Sequence, residues 1–290
     1  MLTVILLFLI LEGVMYLIDI PFKNKIKNST SVETSLKARK TLKWVRIIST
    51  FVLIVALCVI DITIGVSFGS TDEIGRDVGM IIAYAIMKGW SILKGNIQTY
   101  SKEGYLSRHN NFVLYLRAFE ADFYDKSPKS HSLESNLAKA IKKRGSNICA
   151  IGMTKELDAP YGADRVYVGD DTWQTDVAEL MQKANMIFIL MSDRESCIWE
   201  IAQGARMLDK ICFIVDDAEK YKNIKNNSTH HIHFPEYDTI AGKLGDSQSD
   251  RVVCFVMYDG KMELFEFDSK DSPSKIYNQL IEVDQIRKLM

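Results

Sequence analysis

ANMIFILMSDRESCIWEIAQGARML, residues 184–208, passes from a short apolar run into a helical pattern within a few residues. The run from Met186 to Met191 is bounded by polar residues. It is too short for a membrane span and typical of a strand covered on both faces, as in a parallel α/β sheet. Ser192 and Glu195 have capping-box spacing. Ile198, Ile201, Ala202, Ala205 and Leu208 then recur at helical intervals, which predicts a helix packed back on the sheet through that stripe. Glu200 lies off the stripe, in the second turn near the carboxyl end of the strand, where open α/β sheets hold their ligand crevice. A solvated helix glutamate is the plainer reading of the same position.

Outward from this unit, strands and helices alternate. Residues 112–119 (FVLYLRAF) are predicted as a strand, 133–143 as a helix, 147–151 as a strand, 174–183 as a helix and 210–215 as a strand. Such alternation calls for a parallel sheet with right-handed crossovers. Residues 152–173 (GMTKELDAPYGADRVYVGDDTW) are far longer than an ordinary strand-to-helix connection and are predicted as an ordered, functional loop. Residues 252–257 and 261–267, joined by Asp259 and Gly260, read as a hairpin with a type I′ turn. An amphipathic helix over 273–289 closes the chain.

The 290 residues are 47% hydrophobic and 25% charged, an ordinary globular balance that hides a concentration of apolar residues at the start. The net charge of −1 gives no basic field for nucleic acid, so no nucleic-acid partner is expected. Cys58, Cys149, Cys197, Cys212 and Cys254 are scattered without metal-ligand spacing and read as reduced structural thiols. Residues 2–18 are apolar except for Thr3 and Glu12 and lack a charged leader, which predicts a retained membrane helix. A basic stretch follows, with Lys23, Lys25, Lys27, Lys37, Arg39, Lys40, Lys43 and Arg46 against Glu33, and short loops of this kind stay in the cytoplasm. Residues 47–68 predict a second span. Residues 78–93, which contain Lys88, predict a third, short and tilted, with an interfacial helix as its alternative. Glu12 and Asp61 would stand at membrane depth, as functional groups or as helix-to-helix bonds. The expectation is a multi-pass membrane region over 1–96, a polar linker over 97–111 and a cytoplasmic α/β domain over 112–290, with the lipid membrane as partner.

Candidate chemistry narrows by exclusion. There is no GxGxxG after the first strand, no phosphate-binding Walker loop and no G-x-S-x-G elbow. His230, His231 and His233 lack helical metal-ligand spacing and a thiol or carboxylate partner, so no metal site and no cofactor is expected. What remains is a convergence at the carboxyl edge of the sheet: Arg117, Phe119, Glu120 and Asp122 after the first strand, Gly152 after the second, Asp170, Asp171 and Trp173 before the next helix, and Trp199 and Glu200 after the central strand. A carboxylate, an aromatic face and an arginine are what a site needs to bind the ribose, base and phosphates of a nucleotide. Arg117 paired with a loop carboxylate, Trp173 as a hydrophobic staple and a solvated Glu200 fit the same spacing, which decides for neither.

The element order from 112 to about 217 resembles the Toll/interleukin-1 receptor (TIR) domain, particularly membrane-anchored bacterial TIR-like proteins. The most specific element is SCIWEIAQGA, residues 196–205, which resembles the family's S-x-W-C-x-x-E-L helix. Here the tryptophan directly precedes the glutamate, and the loop over 152–173 is longer than in most TIR domains. The resemblance implies a flavodoxin/TIR-like fold, with Glu200 at the place of the glutamate that cleaves NAD in enzymatic members. It further implies NAD as substrate, assembly into a homo-oligomer and a part in bacterial anti-phage defence or signalling. The alternative it leaves is a non-catalytic module that senses a nucleotide or binds a partner. Nucleoside deoxyribosyltransferase-like domains share a similar layout with a glutamate at this place, and that neighbouring class stays open.

Overall fold

The computed structural model describes residues 2–68, 98–118, 128–156, 162–227, 232–245 and 249–290. The chain divides into two compact units, Met1–Asn96 and Ile97–Met290. In the first, helices α1 (Leu2–Lys27) and α2 (Val32–Phe68) pack against each other. Ser31, just ahead of α2, accepts from the backbone N–H of Thr34 at 3.3 Å, an N-cap contact for a donor the helix itself leaves open. Arg46 of α2 clasps Asp19 of α1, its Nε 2.9 Å and 3.1 Å from the two carboxylate oxygens.

This unit corrects the membrane expectation. Among the described residues, no helix is long and apolar enough to cross a membrane, which overturns the multi-pass reading and the placement drawn from it. A span takes about 20 consecutive, predominantly apolar residues. The described side chains of α1 include Asp19, Lys23, Lys25 and Lys27, and α2 is charged from Glu33 to Arg46. The run at 78–93 and the side chains of Glu12, Cys58 and Asp61 lie outside the described residues.

The second unit is α/β. Its elements are β1 (Thr99–Ser101), α3 (Lys102–Leu106), β2 (Phe112–Leu116), α4 (Pro128–Lys142), β3 (Asn147–Met153), β4 (Asp164–Val168), α5 (Trp173–Lys183), β5 (Met186–Leu190) and α6 (Glu195–Gly204). After a 3-10 turn at Leu208–Lys210 come β6 (Ile211–Val215), α7 (Ala218–Asn227), α8 (Tyr237–Leu244), β7 (Arg251–Tyr258), β8 (Lys261–Asp268), α9 (Pro273–Glu282) and α10 (Asp284–Leu289). One sheet runs β1-β4-β3-β2-β5-β6-β7-β8. It is parallel through β6 and antiparallel at β7 and β8. From β2 the chain crosses to β3 on one side, then returns through α5 to β5 on the other, the flavodoxin-like order. That reversal leaves a crevice beyond the carboxyl ends of β2 and β5.

Successive residues of a strand face opposite sides, and here both sides are covered. Leu114, Leu116, Ile187, Ile189 and Phe213 pack with Leu180 and Met181 of α5, Cys197 and Ile201 of α6 and Tyr221 of α7. Val113, Tyr115, Phe188 and Ile214 pack with Leu133, Leu137 and Ile141 of α4 and Ile276 and Leu280 of α9. Double burial explains why β2, β5 and β6 read as unbroken apolar runs.

Several elements differ from expectation. The loop over 152–173 contains β4, in register with β3 from Cys149↔Asp164 to Met153↔Val168. The expected linker supplies β1 and α3, with Thr99–Ser101 paired to Arg165–Tyr167. The first strand ends at Leu116, and the last helix breaks at Val283 into α9 and α10. The hairpin turn at Asp259 (φ 51°) and Gly260 (φ 70°) has the two positive φ angles that a type I′ turn requires.

Candidate functional site

Glu200 owes its position to the way α6 approaches the sheet. The helix starts at Glu195 with Arg194 at its N-cap position and no side-chain cap bond, so Ser192 and Glu195 do not form a capping box. Ser192 instead donates its N–H to Cys197 Sγ at 3.3 Å, and that thiol donates to the carbonyl of Leu190 at 3.4 Å, stitching the end of β5 to α6. At the far end, Gly204 allows close contact, since a Cβ there would stand 2.5 Å from Ile211 Cδ1. The buried face is therefore Cys197, Glu200, Ile201 and Gly204, not the stripe expected from Ile198 to Leu208.

Glu200 is consequently inside, 0% exposed, rather than projecting into solvent. Neither carboxyl oxygen has a hydrogen-bond partner among the described residues, and the same holds for the buried Oγ of Ser196, one helical turn earlier. Burial pushes the pKa of Glu200 well above the ordinary carboxyl range, since a dry interior disfavours the charged form. Burial, followed by the proximity of Glu200, also raises the Cys197 thiol, which is thereby kept out of its nucleophilic thiolate form.

Two indoles meet on the same pair of helices. Trp173 opens α5 and Trp199 directly precedes Glu200; their ring centroids are 4.9 Å apart at 67°, an edge-to-face pair. Both are partly buried against the core layer that contains Cys197 and Ile201. Trp173 and Trp199 thus meet between the start of α5 and α6, and Glu200 follows Trp199 on the buried face of α6.

Arg117 and Gly152 belong to a different group, on the α4 side of the sheet. Arg117 Nε lies 3.3 Å from Glu134 Oε2 of α4, and Arg165 Nη1 of β4 lies 3.5 Å from Glu134 Oε1. Arg165 Nε is also 3.6 Å from Glu156 Oε1. Gly152 makes room for this network, because a Cβ there would meet Glu156 Oε2 at 2.5 Å and Tyr167 Cε1 at 2.9 Å. Arg117 therefore pairs with a helix carboxylate, not a loop one. Asp171 is exposed in the turn before α5, while its neighbour Asp170 accepts from Lys155 Nζ at 2.8 Å. Phe119 and Asp122 lie outside the described residues.

The sequence reading missed Glu134, Glu156 and Arg165, and named Ser196 only as part of the SCIWEIAQGA motif, although it stands four residues before Glu200 on one helix face. The buried carboxylates and Arg165 had none, since each is kept by partners distant in sequence. Among the described residues, no group of His, Cys, Asp and Glu is placed to hold a metal ion; His233 is exposed, and His230 and His231 lie outside the described residues. Compared with protein-family models, curated proteins and solved structures, the chain matches none.

Proposed function

We propose that the chain is a TIR-like effector that hydrolyses the N-glycosidic bond of NAD or a related nucleotide, with Glu200 at the reacting sugar. The observation that carries this reading is a buried carboxyl without a hydrogen-bond partner among the described residues, on the helix that supplies one member of an indole pair and follows a central strand of an open α/β sheet. Breaking the bond leaves positive charge on the ribosyl ring, and a carboxylate against that ring stabilises the charge as it develops. Water then adds to the sugar carbon, giving ADP-ribose, nicotinamide and a proton. Burial raises the pKa of Glu200 and so disfavours its charged form in the free site. A pyridinium ring brought close would favour its ionised form, so charge would appear where the transition state uses it. Trp173 and Trp199 offer π faces to the same cation. Self-association of the α/β unit is part of this reading, as the TIR resemblance implies.

A second reading, a non-catalytic module that senses a nucleotide or binds a partner, is favoured by the complete burial of Glu200. Nicotinamide release from NAD by the purified protein, followed over a range of protein concentrations, separates the two. The hydrolase reading expects turnover that grows more than proportionally with concentration and falls about 100-fold or more in Glu200→Gln, the order expected for losing a charge-stabilising group. NAD binding without turnover at every concentration selects the module.

A further inference from the structure

Helix α2 turns one face to α1 and leaves the opposite face exposed. Ser35, Ala38, Leu42 and Thr50 are buried, and Arg46, on the same line, clasps Asp19. On the other side Trp44, Ile48, Phe51, Val52, Val55 and Val59 recur at helical intervals, Trp44 exposed by 65% and Phe51 by 68%. Tyr16, Leu17 and Ile20 of α1 are exposed as well. The contacts Asp19–Arg46 and Met15–Thr50 run the two helices antiparallel and set these three at the level of Trp44 and Ile48. Scattered apolar side chains on a surface are ordinary, but a continuous band of them marks a place that something covers. The turn end of the same hairpin is basic. Lys25, Lys27, Lys37 and Lys40 are exposed there, and Glu33 is the only acid between Lys23 and Arg46.

We propose that this hairpin docks on an anionic lipid surface, with the apolar face of α2 in the boundary between headgroups and acyl chains and the lysines among the lipid phosphates. Charge selects this occupant over a second copy of the chain. Lys37 and Lys40 lie on the exposed side of α2, in line with Trp44, Ile48 and Val55. Two copies packed in parallel through that stripe set like charges against each other, and two packed antiparallel along its length bury lysines against apolar side chains. A headgroup layer instead offers phosphates to the basic end and hydrocarbon to the rest. Trp44 stands where the two meet, the depth at which indoles settle in a bilayer. Docking of this kind asks no helix to cross, in keeping with the length and polarity of the described helices. It is also independent of the reaction proposed for Glu200.

The test is co-sedimentation of the full-length protein with phosphatidylcholine vesicles and with equimolar phosphatidylcholine–phosphatidylglycerol vesicles, read together with tryptophan emission. Partitioning is expected to be at least about tenfold stronger on the anionic vesicles and to fall as salt screens the lysines. Replacing Lys37 and Lys40 together by glutamine should weaken it about 20-fold there, at about fivefold for each cation. Phe51→Ser should weaken it about tenfold or more through lost apolar burial. These three side chains are exposed, so the variants keep the fold. Anionic vesicles should shift the emission of the parent to the blue, and the shift should disappear in Trp44→Phe. Equal partitioning on the two kinds of vesicle, no binding to either, or a blue shift retained in Trp44→Phe overturns the proposal. A lipid-free dimer that Phe51→Ser dissociates puts a second copy on this face and overturns it as well.

Discussion

A carboxyl group left unpartnered inside a protein costs the fold about 1–3 kcal/mol, and Glu200 makes that cost depend on pH. Its pKa is raised by burial, so the folded chain holds the proton more tightly than the unfolded chain. The resulting stabilisation is fully present below the ordinary carboxyl value of 4.5 and is lost as pH rises through the raised folded value. Glu200→Gln removes the titration. The melting temperature of the variant is therefore expected to gain on that of the parent as pH rises above 4.5 toward the raised folded value; melts that keep a constant difference over that rise would contradict the assignment. Gly204 works by space rather than charge. Gly204→Ala drives a methyl to 2.5 Å from Ile211 Cδ1 and is expected to destabilise by about 1–3 kcal/mol, as overpacking does. Adding Ile211→Val, which deletes that terminal methyl, should recover part of the loss, a coupling that a double-mutant cycle by denaturant unfolding measures.

At the scale of elements, the ion network ties the end of β2 and β4 to α4 through one shared carboxylate, and Arg165 carries it on to Glu156 in the β3–β4 connection. Glu134 lies within 3.3 Å of Arg117 and 3.5 Å of Arg165. Removing one member of a buried pair leaves an uncompensated charge, so Glu134→Ala is expected to cost about 3–5 kcal/mol. Replacing the exposed Lys270, whose partner Asp250 is half-buried, should cost about 1 kcal/mol or less, and chemical denaturation of the two variants compares them. The same network shows where the sequence stopped being legible. β5 and β6 could be read because both of their faces are apolar, and the β7–β8 hairpin because Asp259 and Gly260 tolerate positive φ. β4 could not, because Asp164 and Arg165 look solvated until Lys142 arrives for the first and Glu134 and Glu156 for the second, all from elsewhere in the chain. Glu200 was found as a residue and misjudged in orientation. The phase of α6 is set by a late start at Glu195 and by the closeness of Gly204 to Ile211, and hydrophobic spacing alone records neither.

At the scale of the whole molecule, the boundary of the α/β unit falls earlier than the first long strand suggests. β1 pairs with β4 along the sheet's edge, and α3 places Tyr105, 0% exposed, between Tyr100 and Phe112 with ring centroids 5.3 Å and 5.2 Å away. Lys102 reaches across to α5, its Nζ 2.8 Å from Asp176 Oδ1 and 2.7 Å from Glu179 Oε2. A fragment of residues 97–290 keeps all of these and both core layers, and is expected to unfold in one cooperative transition. A fragment of residues 112–290 loses Tyr100, Tyr105 and Lys102 together and leaves β4 as an unpaired edge open to other chains. Deleting a single buried aromatic side chain costs about 3–5 kcal/mol, while a whole domain is stable by only about 5–15 kcal/mol. The shorter fragment should therefore aggregate or melt without a sharp transition. Thermal unfolding followed by circular dichroism, with size-exclusion chromatography of both fragments, decides the matter: a monomeric 112–290 fragment that melts cooperatively within a few degrees of the longer one would show that β1 and α3 are ornaments on the sheet rather than part of its core.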